Sequence, residues 1–163
     1  MRFCEQNQVV VGLAPYDMSD AAASGDFVSL KNYGHIAIVF VKDAGYDGQD
    51  VTLTVQQATA VAGTSAKALT FADYYIKDGT QTGVGTFTKT TQTAASTFSA
   101  TGENEQLVVV EFDAADLDAD GGFDCIRATV TDSGSTSGSY GTLLYILSEP
   151  RFSSETMPSA IAD

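Results

Sequence analysis

Tryptophan is absent from these 163 residues, histidine occurs once (His35) and cysteine twice (Cys4 and Cys125). Tyrosine and phenylalanine must therefore supply the large side chains of any core or interface. A lone histidine with no cysteine near it leaves zinc with carboxylates alone, and nothing around it reads as a Ser-His-Asp triad. We expect His35 to be a structural hydrogen-bonding residue at the start of a buried strand. The cysteines make neither a metal motif nor a disulfide framework; Cys125 reads as a small buried hydrophobe, with a pairing to Cys4 as the alternative. Basic residues are scarce, 8 against 21 acidic ones, for a net charge of −13. They are spread along the chain with no cluster to follow a phosphate backbone, so nucleic acid is not an expected partner. No apolar run approaches the roughly 18 residues a membrane-spanning helix needs, and no membrane partner is expected. Glu5, Gln6, Asn7 and Gln8 interrupt any signal-peptide pattern, which implies synthesis in a cytoplasm. A Gly-rich phosphate loop, a nucleophile elbow and a paired-carboxylate motif are also missing. No catalytic residue, cofactor or metal ligand is assigned, and a non-enzyme is expected, with a small hydrolase as the discarded reading.

What is present suits short strands. Hydrophobic residues make up 44% of the chain and charged residues 18%, unlike a disordered polymer. The length fits one domain, residues 1–163, able to bury roughly 70% of the surface its unfolded chain exposes. Residues 9–13 form a first strand, which Pro15 either ends or confines to a sheet edge. Residues 27–30 resume extended structure, and residues 31–34 look like a turn with Gly34 free to take positive φ. Residues 35–41 are apolar on both faces, as in a central strand covered on both sides. Residues 51–55 alternate, with Val51, Leu53 and Val55 inward. Residues 71–77 are strand-like, and Asp78-Gly79 is a turn signal. Residues 86–89 and 97–99 would each place one aromatic, Phe87 or Phe98, inside. Residues 132–139 are pure turn chemistry, and residues 140–147 close the β structure before Pro150. About eight to ten short strands without a normal helix imply an all-β fold: a two-sheet antiparallel β-sandwich, best read as a jelly roll, with a small barrel as the alternative.

The chain is organised around residues 107–130. An apolar run leads into an acidic turn, and a second strand-like run leaves it. Within the turn Asp116, Asp118, Asp120 and Gly121 match the opening of a calcium loop, and Asp124 could add an oxygen. The twelfth position is Arg127, however, where that motif needs a bidentate glutamate. The plainer reading is an Asp/Gly hairpin carrying solvated charge, with a weak calcium site as the alternative. Arg127 stands among nine carboxylates between Glu103 and Asp132, and is expected to pair with Asp120 or Asp124.

Several pieces, in this order, carry a family resemblance. Phe3-Cys4-Glu5 is followed by a short strand and Ala14-Pro15, then by residues 25–33, GDFVSLKNY. Residues 52–59 (TLTVQQAT), Gly102-Glu103 and the strand to Phe112, residues 116–118 with 122–127, and residues 143–152 (LLYILSEPRF) complete it. The pattern resembles small structural proteins of tailed-phage and prophage head modules, of the capsid cement or decoration type. The resemblance implies a jelly-roll virion protein, made in the host bacterial cytoplasm, that binds the outer surface of the head as a homotrimer. It would clamp adjacent subunits of the major capsid protein, with the N-terminal (1–26) and C-terminal (151–163) segments docking. The alternative is a receptor- or glycan-binding β module of a phage fibre or tail, calcium-assisted through the acidic turn, with Tyr16, Tyr33, Tyr46 and Tyr140 presented in loops.

Overall fold

The computed structural model describes residues 2–134, 138–152 and 157–161. Alternation of apolar and polar residues produces twelve strands: β1 (Gln8–Asp17), β2 (Ala23–Ser24), β3 (Val28–Ser29), β4 (Tyr33–Lys42), β5 (Val51–Ala58), β6 (Lys67–Ala68), β7 (Phe71–Asp78), β8 (Thr88–Ala95), β9 (Thr97–Ala100), β10 (Gln106–Asp113), β11 (Cys125–Val130) and β12 (Tyr140–Pro150). Among the described residues helix is confined to one turn, α1 (Gln81–Val84), and short 3-10 turns.

All pairings are antiparallel, and they build two sheets. One runs β1-β12-β4-β10-β7-β8; the other runs β2-β11-β5-β6, with β3 also on β11 and β9 also on β5. Along the chain, β1, β4, β10 and β12 fall in the first sheet, while β2 and β3, β5, β9 and β11 fall in the second. That wrapping is a jelly roll, and the β7–β8 hairpin widens its first sheet beyond β10.

The core lies between the sheets. Ile36, Ile38 and Phe40 of β4, Val108 and Val110 of β10, and Leu143, Tyr145 and Leu147 of β12 face Val51, Leu53 and Val55 of β5 and Ile126 and Ala128 of β11, all fully buried. Each large aliphatic or aromatic side chain buried there contributes about 1.5–3 kcal/mol. Phe98 is inside as expected, but Phe87 stays 44% exposed. It packs edge-on to Tyr75 and under the Lys77 ammonium, because β8 is an edge strand with little core to reach.

Of the two outcomes Pro15 allowed, β1 takes the edge: it continues to Asp17 as an edge strand, with register shifts between Val11 and Leu13 and between Leu13 and Tyr16. Two local expectations change. Gly34 lies inside β4 without positive φ, which falls instead on its neighbour Glu149 (φ 55°). Strand β4 is central, between β12 and β10, but its cover is one-sided. On its outer face Ala37 and Val39 are half-buried and Val41 is exposed. The pairing registers align Val11, Leu144, Val39, Val109 and Tyr75 in one row across that outer face. Val9, Ile146, Ala37 and Glu111 flank the row on one side, and Thr142, Val41, Leu107 and Lys77 on the other.

Candidate functional site

The acidic turn joins β10 to β11 through 3-10 turns at Ala114–Asp116 and Ala119–Gly121. Leu117 between them is buried and anchors the turn on the core. Each carboxylate has a separate duty. Asp116 Oδ2 accepts the Asp113 N–H at 2.8 Å, and Asp118 Oδ1 accepts the Gly121 N–H at 3.0 Å. Asp118 Oδ2 also pairs with Lys67, whose ammonium sits 3.9 Å from the Phe123 ring centre. The Lys67 contact first, then the Gly121 N–H, hold the Asp118 carboxyl below the ordinary range. Local capping and one ion pair thus engage Asp116 and Asp118 separately, but the turn is not the expected hairpin: β10 and β11 lie in different sheets, and the turn crosses from one to the other. Among the described residues no three histidine, cysteine or carboxylate side chains gather as a metal site.

Arg127 does not pair with Asp120 or Asp124. It lies on β11, donates from Nε to Gln56 Oε1 at 3.0 Å and places its guanidinium 4.4 Å from the Phe27 ring centre. An aromatic face and a neutral acceptor on the neighbouring strand outcompete carboxylates lying out on the turn. His35 is where β4 and β10 meet the turn: its cross-strand partner is Asp113, with Nδ1 to Oδ1 at 3.1 Å, and Nε2 lies 3.5 Å from Glu111. Nearby, a cleft of about 370 Å³ is lined by Leu69, Phe71, Asp73, Glu111, Phe112 and Asp116, with Thr70 as its hydroxyl. Its polar lining is acidic. Cys125 is buried and Cys4 exposed, and they are not bonded to each other.

Two buried polar groups, Lys42 and Tyr145, tie separate elements together. Lys42, 1% exposed, ends β4 and turns inward. Its ammonium donates to the carbonyls of Asp43 (2.7 Å), Gly102 (2.9 Å) and Asn104 (2.9 Å). Burial lowers its pKa, partly opposed by Asp43, Asp50, Glu103 and Asp78. The lysine thereby clamps two loops, which also meet through Gly45 N–H to Gly102 O (2.9 Å) and Gly102 N–H to Asp50 (2.7 Å). Tyr145 spans the sandwich from β12 to β11. On β11 the ladder is taken by β2 at Thr129 and Val130 and by β3 at Cys125 and Ile126. In the gap between them the Ala128 N–H donates to Tyr145 Oη at 3.0 Å.

The end of the sandwich holding the acidic turn also receives the start of β1, the end of β12 and residues 157–161. Gln8, at the start of β1, pairs with Leu147, and Pro150, at the end of β12, pairs with Tyr33 at the start of β4. Residues 157–161 are tied there as well, by Tyr33 Oη donating to Pro158 O (2.5 Å) and Ser29 N–H donating to Ala160 O (2.7 Å). Phe3, Phe152 and Ile161 nevertheless remain 55%, 71% and 62% exposed. Of the four tyrosines expected in loops, Tyr33 is fully buried and Tyr16 is half-buried in β1. Tyr46 and Tyr140 are exposed, at the opposite end beside the Lys42 loops.

No family model matches the chain, and no curated protein matches it. A chain in the structure of infectious bursal disease virus Gt strain is similar over 97% of this chain, with a TM-score of 0.30 and 10% identity. The alignment covers 46% of that viral chain, so this protein spans less than half of its length.

Proposed function

We propose that this protein is a non-enzymatic cement or decoration protein. It binds the outer surface of a phage head and clamps adjacent subunits of the major capsid protein. The observation that carries the reading is the convergence of both terminal segments on one end of the jelly roll. Phe3, Phe152 and Ile161 are exposed, and the Asp113–Asp124 turn lies at the same end of the sandwich as the start of β1 and the end of β12. Apolar side chains left outside a finished core gain their burial on a neighbour. The acidic turn favours a neighbour with basic groups around its apolar pockets, and it suits late addition from solution, since a net charge of −13 keeps free copies soluble. Self-association, trimeric in the proteins it resembles, would let several modest contacts act together.

Quantifying the chain in purified particles tests the reading. Cementing requires copies in proportion to the capsid subunits. A few copies per particle, confined to the tail, would support the fibre or tail module instead.

A further inference from the structure

The outer face of the first sheet carries contiguous rows of apolar side chains. From β1 to β10 its rows carry no charge until Glu111, and Val9 and Val11 stay 45% and 54% exposed. We infer that this face pairs with the same face of a second copy, across a two-fold axis lying along the Val39–Val109 row.

Three observations select a second copy. The first is size: from β1 to β7 the face spans four strand spacings of about 4.8 Å and three rows about 6.8 Å apart, or about 500 Å² with side-chain margins. Two copies would remove about 1,000 Å² from water, the lower bound for a specific interface. The second is symmetry. Lys77 lies one row to one side of the proposed axis, while Glu111 lies one row to the other side. Asp73, two residues before Tyr75 on β7, is on the Glu111 side and pairs with Lys89 at 2.8 Å. The two-fold therefore brings Lys77 of each copy onto the Asp73 and Glu111 side of the other, and apolar rows onto apolar rows. The third is charge: chains of net charge −13 repel, and this face lets them meet without apposing carboxylates. An isologous contact of this kind closes on itself as a dimer.

The pairing does not depend on the cement reading, which uses the end of the sandwich and not its face. Sedimentation of the purified full chain at about 100 μM tests it, a concentration at which even a micromolar dimer is almost fully formed. The expected mass is twice 17.1 kDa. Val39→Lys, at a half-buried outward position, should give one-chain mass with an unchanged circular dichroism spectrum. Should that variant fold poorly, Lys77→Glu should weaken the dimer about tenfold, and adding Glu111→Lys should restore it. One-chain mass for the unmodified protein overturns the inference, as does a dimer indifferent to both Val39→Lys and Lys77→Glu. A three-chain mass unaffected by Val39→Lys also overturns it, yet leaves the cement reading with its trimer. A one-chain protein whose attachment to heads is lost with Val39→Lys assigns the face to the shell, again overturning the pairing alone.

Discussion

Replacing Tyr145 with phenylalanine deletes one oxygen from a fully buried ring. The Ala128 N–H then loses its acceptor in the gap between β2 and β3, where no strand can replace it. Leaving a buried donor unsatisfied costs about 1–3 kcal/mol. At this chain length a loss of about 2 kcal/mol lowers Tm by about 4–8 °C. The same hydroxyl adds an alkaline signature. Burial pushes its pKa up from 10 to about 12. Between those values the unfolded tyrosine releases its proton and the folded one keeps it, so the unfolded state gains and stability falls as pH rises. Two units correspond to about 2–3 kcal/mol, none of it lost below pH 10. The phenylalanine variant has no such proton. Its deficit against the unmodified protein, measured by urea denaturation, should be full at pH 7 to 9 and shrink towards zero near pH 12. A variant as stable as the unmodified protein at pH 7, or a deficit unchanged from pH 8 to 12, would refute the role assigned to this hydroxyl.

Gly25→Ala would place a Cβ 2.4 Å from Tyr145 Oη and 2.8 Å from Ala128 O, and should cost about 1–3 kcal/mol in the same denaturation assay. Lys42→Met leaves the Gly102, Asn104 and Asp43 carbonyls without their donor; a loss of about 2–4 kcal/mol is expected, with faster amide exchange in the 43–50 and 101–105 loops. Asp17, Asp73 and Asp118 all have carboxyl pKa values below the ordinary 3.8, through hydrogen bonds from Ser19, Lys89 and Lys67 respectively. The unfolded chain therefore takes up protons first, and the stability these groups give, complete and independent of pH at neutrality, is lost with a fall in Tm as pH drops below 3.8 towards those lowered values. Millimolar calcium should leave the melt unchanged, because Asp116 and Asp118 are already engaged by backbone N–H groups and Lys67; a rise in Tm would restore the calcium reading of the turn.

Much of the fold was legible because strand alternation is a short-range signal. The inward set Val51, Leu53 and Val55, the turn at Asp78-Gly79 and the closing strand before Pro150 follow from local pattern and turn chemistry. Parity would also have found Lys42, which continues Ile36, Ile38 and Phe40 on the inward side. Composition argued against it, since a buried ammonium needs acceptors that only tertiary structure brings. The partner of Arg127 was misread for a related reason. Proximity in sequence favoured Asp120 and Asp124, whereas the cross-strand register supplied Gln56. The one-sided cover of β4 was not legible at all, because a strand apolar on both faces reads the same whether its second layer comes from its own chain or from another molecule. At the candidate docking end, the apolar tips Phe152 and Ile161 were visible as a sparse tail. That Phe3 lies towards the same end of the sandwich depends on β1 and β12 being antiparallel neighbours, which no local pattern encodes.

Heads stripped of this chain, heated with and without the purified protein added back, test the central proposal most directly. Cementing predicts that add-back raises the temperature of genome release, and that removing the exposed tips by Phe3→Ser and Phe152→Ser abolishes the gain while the protein stays folded. Heads that release their contents at the same temperature with or without it would contradict the proposal.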